Sequence, residues 1–106
     1  MSDVNWVEAA SFADLPDGDA CAARCADGTP VTLYLVDGEV FATAAICTHG
    51  AANMCDGFLE GHEIECPLHQ GRFDIRTGQA LNAPLETDIA VYPVKVENGR
   101  VLVALG

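Results

Sequence analysis

The run Val31-Thr32-Leu33-Tyr34-Leu35-Val36 leads into Asp37-Gly38 and then into Glu39-Val40-Phe41-Ala42-Thr43. Asp-Gly supplies the positive φ angles of a tight two-residue turn, so this segment predicts a β-hairpin. A second hairpin is predicted at the end of the chain. There Ile89-Ala90-Val91-Tyr92-Pro93-Val94-Lys95-Val96 meets Asn98-Gly99 and continues as Arg100-Val101-Leu102-Val103-Ala104-Leu105. Pro93 has no N–H to give to a ladder, which predicts an edge position or a bulge. Asp17-Gly18 and Asp27-Gly28 mark further turns, and Ser11-Phe12-Ala13-Asp14-Leu15 is expected to form one helical turn before Pro16. No stretch of ten or more residues carries the apolar period of an amphipathic helix. The expected fold is all-β, a small antiparallel sandwich or barrel.

From Cys47 to Leu85 the alternation weakens, and Gly, His, Cys and Pro accumulate, including all three histidines of the chain. Long irregular stretches inside a compact domain are usually functional. The 106 residues suffice for one domain with one modest core, and a 50% hydrophobic composition is globular. There is no linker, repeat or low-complexity tract. No apolar run approaches the roughly 18 residues of a membrane span, and Met1-Ser2-Asp3-Val4 does not open like a signal peptide. The expected location is the cytoplasm. Sixteen Asp and Glu against five Lys and Arg leave a net charge of −11. That argues against nucleic acid and against anionic lipid, both of which need a basic patch. It suits transient pairing with a basic partner, and it also serves plain solubility.

Five cysteines, Cys21, Cys25, Cys47, Cys55 and Cys66, make a poor disulfide framework without a secretion signal. Cysteine close to histidine in a reducing compartment suggests a metal. Two motifs stand out, Cys47-Thr48-His49 and Cys66-Pro67-Leu68-His69. Each offers one thiolate and one imidazole from a single loop. Two Cys and two His could hold a tetrahedral zinc, although zinc loops commonly place at least two residues between ligands. The alternative is a [2Fe–2S] cluster with two Cys on one iron and two His on the other, which needs two loops each sending one ligand to each iron. Gly50 and Gly71 would let backbone N–H groups approach the sulfides, and Pro67 holds Cys66 extended.

The pairing of Cys47-Thr48-His49-Gly50 with Cys66-Pro67-Leu68-His69-Gln70-Gly71-Arg72-Phe73 resembles the Rieske family along the whole chain. In detail it is similar to the stand-alone Rieske ferredoxins of bacterial aromatic-ring-hydroxylating dioxygenases, and the run from Asp56 to Asp74 to their naphthalene-type branch. The resemblance implies an antiparallel β-sandwich or barrel over residues 1–106. A small cluster-binding subdomain, about 45–85, would be inserted between strands. It implies one Rieske [2Fe–2S] cluster per chain, with Cys47 and Cys66 on the inner iron and His49 and His69 on the outer iron. The outer imidazole edges would be the electron exit, and a loop around Ala83-Pro84 would cover the cluster. The implied role is a one-electron carrier, not an enzyme. It would run from a flavin-containing NAD(P)H ferredoxin reductase to the terminal oxygenase component, as a freely diffusing monomer. Ala52 and Leu68 stand where high-potential relatives carry a disulfide, and Gly71 stands where they carry a Ser. Fewer hydrogen bonds to sulfur stabilise the reduced state less, so the expected potential is about −150 mV, the low end of the Rieske range.

Two other readings stay open beside it: a small Rieske-like subunit of a redox enzyme such as nitrite reductase, and a structural zinc module. A complete Rieske oxygenase subunit is excluded by length. Among the remaining residues, His62 is expected on a surface loop and Cys55 as an incidental thiol, since nothing cationic flanks it. Cys21 and Cys25 are expected on one strand face, roughly 13 Å apart, as small core residues. Trp6, Phe12, Tyr34 and Phe41 are expected in the core. Phe58 and Phe73 are expected near the cluster, excluding water or packing in the core. Arg72 is expected to meet a partner carboxylate or to pair with Asp74 or Glu65.

Overall fold

Asp37 and Asn98 are the two non-glycine residues with positive φ among those described, both at 52°, and Gly38 and Gly99 follow at 80° and 78°. Two successive positive φ angles form the turn that matches the twist of a hairpin. Both hairpins read from the sequence are therefore present in the computed structural model, which describes residues 5–48, 52–67, 71–82 and 87–105.

Strands β1 (Trp6–Ser11), β2 (Ala20–Arg24), β3 (Pro30–Val36) and β4 (Glu39–Ala44) come first. Three short strands follow in the middle of the chain: β5 (Phe58–Glu60), β6 (Glu63–Glu65) and β7 (Arg72–Asp74). The last three are β8 (Val91–Tyr92), β9 (Val94–Glu97) and β10 (Arg100–Ala104). They form three antiparallel sheets, ordered β1-β10-β9, β2-β3-β4-β8 and β5-β6-β7. The helical turn predicted before Pro16 is a 3-10 turn at Phe12–Asp14, and a second one spans Met54–Asp56. Among the described residues no helix is long and apolar enough to cross a membrane.

Strand β3 explains why Val31–Val36 reads as an unbroken apolar run: every one of these residues is buried. The four-stranded sheet lies between two cores, so β3 has no solvent face. Val31, Leu33 and Leu35 join Val7, Val101 and Val103 in the core shared with the β1-β10-β9 sheet. Tyr34 and Val36 join Ile64, Phe73, Ile75 and Met54 in the core shared with the β5-β6-β7 sheet. Each fully buried Leu, Ile or Phe contributes about 1.5–3 kcal/mol relative to exposure. The Tyr34 hydroxyl, which could not be buried unpaired, lies 2.9 Å from Thr43 Oγ1.

The expected single strand Ile89–Val96 is two strands in different sheets. β8 pairs with β4, while β9 pairs with β10. Pro93 lies between them, so its missing N–H falls where the chain changes sheets. Its carbonyl still accepts the Ala104 N–H at 2.9 Å.

Some side chains differ from expectation. Trp6 is half-buried, with the Lys95 ammonium 4.5 Å over its ring, and is not a core residue. Phe12 and Phe41 are only partly buried. Cys21 sits half-buried on β2 and Cys25 lies buried just past its end, both against the same core. His62 is not a free surface residue: its ring meets Phe41 edge-on at 5.4 Å, and its carbonyl accepts the Ile75 N–H at 2.9 Å.

Candidate metal centre

Two hairpin loops of equal length carry the candidate ligands. The first is closed by the pairing of Ile46 with Asn53, and the second by the pairing of Glu65 with Arg72. Each loop thus holds six residues, 47–52 and 66–71, and each begins with cysteine. The backbone closes both in the same way. Cys47 N–H donates to the Ala52 carbonyl at 2.9 Å, and Cys66 N–H donates to the Gly71 carbonyl at 2.7 Å. The matched cysteines are the first residues beyond their ladders, so the strands fix where each sulfur starts.

Both cysteines belong to one core. Cys47 is 4% exposed and Cys66 1%, and they share a cluster with Ala52, Met54, Ile64, Phe73 and Ile75. Phe73 and Ile64 come from the inward face of β5-β6-β7, so that sheet floors the second loop. Phe73 is a buried core residue packed with both cysteines, whereas Phe58 points outward and is 70% exposed. The first loop is braced from behind. Met54 N–H donates to the Ala45 carbonyl at 2.8 Å, and Asn53 Oδ1 accepts the Cys55 N–H at 3.0 Å. His49 and His69 lie outside the described residues, as do Gly50, Leu68 and the Ala83-Pro84 loop.

A third segment is fastened to both loops. Leu81 N–H donates to the Arg72 carbonyl, and Asn82 Oδ1 accepts the Arg72 N–H, both at 2.8 Å. At the other end Thr48 Oγ1 donates to the Thr87 carbonyl at 2.8 Å. Ala80 N–H donates to Asp88 Oδ1 at 2.9 Å and closes the base of the segment. Thr48, Asn82 and Asp88 went unnoticed in the sequence. The position of Thr48 between Cys47 and His49 was the one available signal.

Charge collects around Arg72, the residue that follows the second loop. Arg72 Nη1 lies 3.2 Å from Glu60 and 3.4 Å from Glu63, and Nη2 lies 3.1 Å from Glu65. The Glu60 and Glu63 carboxylates, aided by Glu65, hold the guanidinium above its usual value. Of the two partners expected for Arg72, Glu65 is correct. Asp74 is instead taken by Arg76 at 2.9 Å, which holds its carboxyl below the usual range. The Cys55 thiol is pushed up, first by burial and then by the Asp56 carboxylate, which makes it a poor nucleophile at neutral pH.

Residues 5–93 match the family model described as the Rieske [2Fe-2S] domain. The chain belongs to the Rieske family. It is 56% identical over 101 residues to the ferredoxin component of a Ralstonia naphthalene 1,2-dioxygenase/salicylate 5-hydroxylase system, covering 95% of this chain and 96% of that protein. It is 55% identical over 103 residues to the ferredoxin component of a Burkholderia 2,4-dinitrotoluene dioxygenase system, with coverage of 95% and 96%. Among solved structures, it matches a chain of the complex of reduced oxygenase and oxidized ferredoxin in carbazole 1,9a-dioxygenase. The TM-score is 0.85 at 32% identity, with 96% of this chain and 94% of that chain covered. The chain is thus a Rieske-type electron-transfer protein whose cofactor is a [2Fe–2S] cluster. Its own donor chemistry fits that cofactor: two buried thiols at equivalent places in two equal loops match the sulfur half of a mixed Cys/His ligand set.

Proposed function

We propose that Cys47 and Cys66 hold the inner iron of the cluster and His49 and His69 the outer iron, with one cluster per chain. The observation that carries this reading is the equivalence of the two loops, each starting with a buried cysteine and each containing one histidine. When bound, the cluster supplies one-electron chemistry. The chain's residues do the rest. Cys47 and Cys66 anchor the cluster from a water-free core, Phe73 and Ile64 keep that core dry, and Thr48 and Arg72 tie the two loops to the 81–87 segment. Residues 45–85 act as the cluster-binding subdomain of a single domain.

The carrier takes electrons from a flavin-containing NAD(P)H ferredoxin reductase and delivers them to the terminal oxygenase of an aromatic-ring-hydroxylating dioxygenase. It works as a cytoplasmic monomer. Cys21, Cys25 and Cys55 form no disulfide, which suits a reducing compartment. Its relatives at 56% and 55% identity serve systems named for different aromatic compounds. That pattern suits a carrier that never meets the ring, leaving substrate choice to the oxygenase pocket.

EPR of the dithionite-reduced protein, with iron and zinc analysis, tests the reading. The expected result is a rhombic signal of low average g and two irons per chain. His49→Ala or His69→Ala should abolish the Rieske spectrum, and Cys55→Ala should leave it intact. One zinc per chain with a silent spectrum would overturn the electron-transfer reading, and loss of the spectrum in Cys55→Ala would overturn the ligand set.

A further inference from the structure

Arg72 is the first residue after the second loop, and both its backbone and its side chain are committed. Its N–H and C=O hold Asn82 and Leu81. Its guanidinium reaches Glu60 on β5 and both Glu63 and Glu65 on β6. Glu65 is the residue that precedes Cys66. The register pairs Glu65 with Arg72 and with Phe58, so the three strands meet in one row at the mouth of the loop.

Few other cations could serve there. The chain has five Lys and Arg. Arg24, Lys95 and Arg100 lie on β2, β9 and β10, away from the β5-β6-β7 sheet. Arg76 is held by Asp74 through two contacts, at 3.0 and 2.9 Å. One guanidinium therefore faces three carboxylates, leaving two negative charges in excess.

We propose that Arg72 is a positioning residue for the bound cluster: it holds the second ligand loop in shape and raises the cluster's reduction potential by offsetting Glu65, the neighbour of Cys66, together with Glu60 and Glu63 on the same sheet. This rests on the reading of Cys66 as a ligand. Reduction adds one negative charge. Nearby carboxylates oppose that charge and a nearby guanidinium favours it. As a stabilising ion pair the group counts for little, because Arg72 is about one-third exposed and such pairs are screened by water. Its effect on potential is different in kind, since it acts on the difference between two redox states and not on folding.

The test measures the potential of the iron-loaded protein at low ionic strength and again at about 1 M salt, where the Debye length is about 3 Å. Arg72→Gln should move the potential to more negative values, while Arg72→Lys, which keeps the charge, should stay close to the parent. The double variant Glu60→Gln/Glu63→Gln should move it the other way. Both shifts should shrink at high salt. A parent-like potential in Arg72→Gln at low salt, with iron content and EPR intact, would overturn the proposal. If Arg72→Gln takes up no cluster, the Glu60→Gln/Glu63→Gln variant decides alone, and an unmoved potential there overturns it. A parent protein without a Rieske signal would instead overturn the ligand assignment, and this proposal with it.

Discussion

At the scale of one residue, Gly78 and Gly38 separate two costs that a side chain can carry. Both have positive φ, at 82° and 80°. A Cβ on Gly38 would meet nothing within 4 Å, whereas one on Gly78 would strike the Ile89 carbonyl oxygen. Gly78 is also pinned by hydrogen bonds, its N–H to the Asp74 carbonyl at 2.6 Å and its carbonyl to the Ile89 N–H at 2.8 Å. Gly38→Ala should therefore cost only the left-handed strain, about 1–2 kcal/mol. Gly78→Ala should cost clearly more, because either the backbone or the 78–89 contact must give way. Urea unfolding of the two variants measures the difference, and equal losses would show that the Ile89 backbone yields freely. Gly38 was legible in the sequence because Asp-Gly announces its turn. The demand on Gly78 was not, because it comes from a residue eleven positions away. The same division runs through the site. Cys47 and Cys66 stand out because each heads a short motif that ends in His, but the reach of Arg72 to Glu60 and Glu63 depends on strand register that no local pattern encodes.

At the scale of the element, the long strands were readable and the short ones were not. β3 and β4 announce themselves through a β-branched run and a two-residue turn. β5, β6 and β7 are three residues each, too short for an alternation to register, although each buries its central residue more than its flanks. Residues 47–85 thus look irregular in the sequence partly because a sheet of short strands lies among their loops. β7 also ends in a charged device. Asp74 accepts from Arg76 Nε, Nη2 and N–H at 3.0, 2.9 and 2.8 Å. The Arg76 guanidinium lowers the Asp74 carboxyl below its unfolded value. A depressed carboxyl stabilises the fold at neutral pH, and that contribution is lost as pH falls through the folded value, below the usual carboxylate pKa of about 3.9. Asp74→Asn should lower the melting temperature at neutral pH, and the gap to the parent should narrow toward about pH 3. Melting curves across that range check it, and a gap independent of pH would mean that the turn geometry matters and the charge does not.

At the scale of the whole molecule, sixteen Asp and Glu against five Lys and Arg leave a net charge of −11. Arg72 pairs with carboxylates of β5 and β6, and Arg76 with Asp74 of β7. Arg100 pairs with Glu8 at 3.3 Å, Lys95 with Glu97 at 3.6 Å, and Arg24 donates to the Gly28 carbonyl at 2.8 Å. These exposed pairs add little to stability. What they do is set four of the five cations against carboxylates, while the surplus carboxylates attract a basic partner. Long-range attraction of this kind acts on the rate of encounter and falls with salt, because the Debye length is only about 8 Å at physiological ionic strength. On the proposed function, in which the carrier meets a reductase and an oxygenase in turn, fast encounter with weak holding is the useful combination. The association rate with either component should therefore fall about tenfold or more between low salt and roughly 0.5 M, with dissociation changing much less. Stopped-flow electron transfer across a salt series reads this directly. A rate that ignores salt would mean that apolar contact at the docking face governs the encounter, and that the acidic surface serves solubility alone.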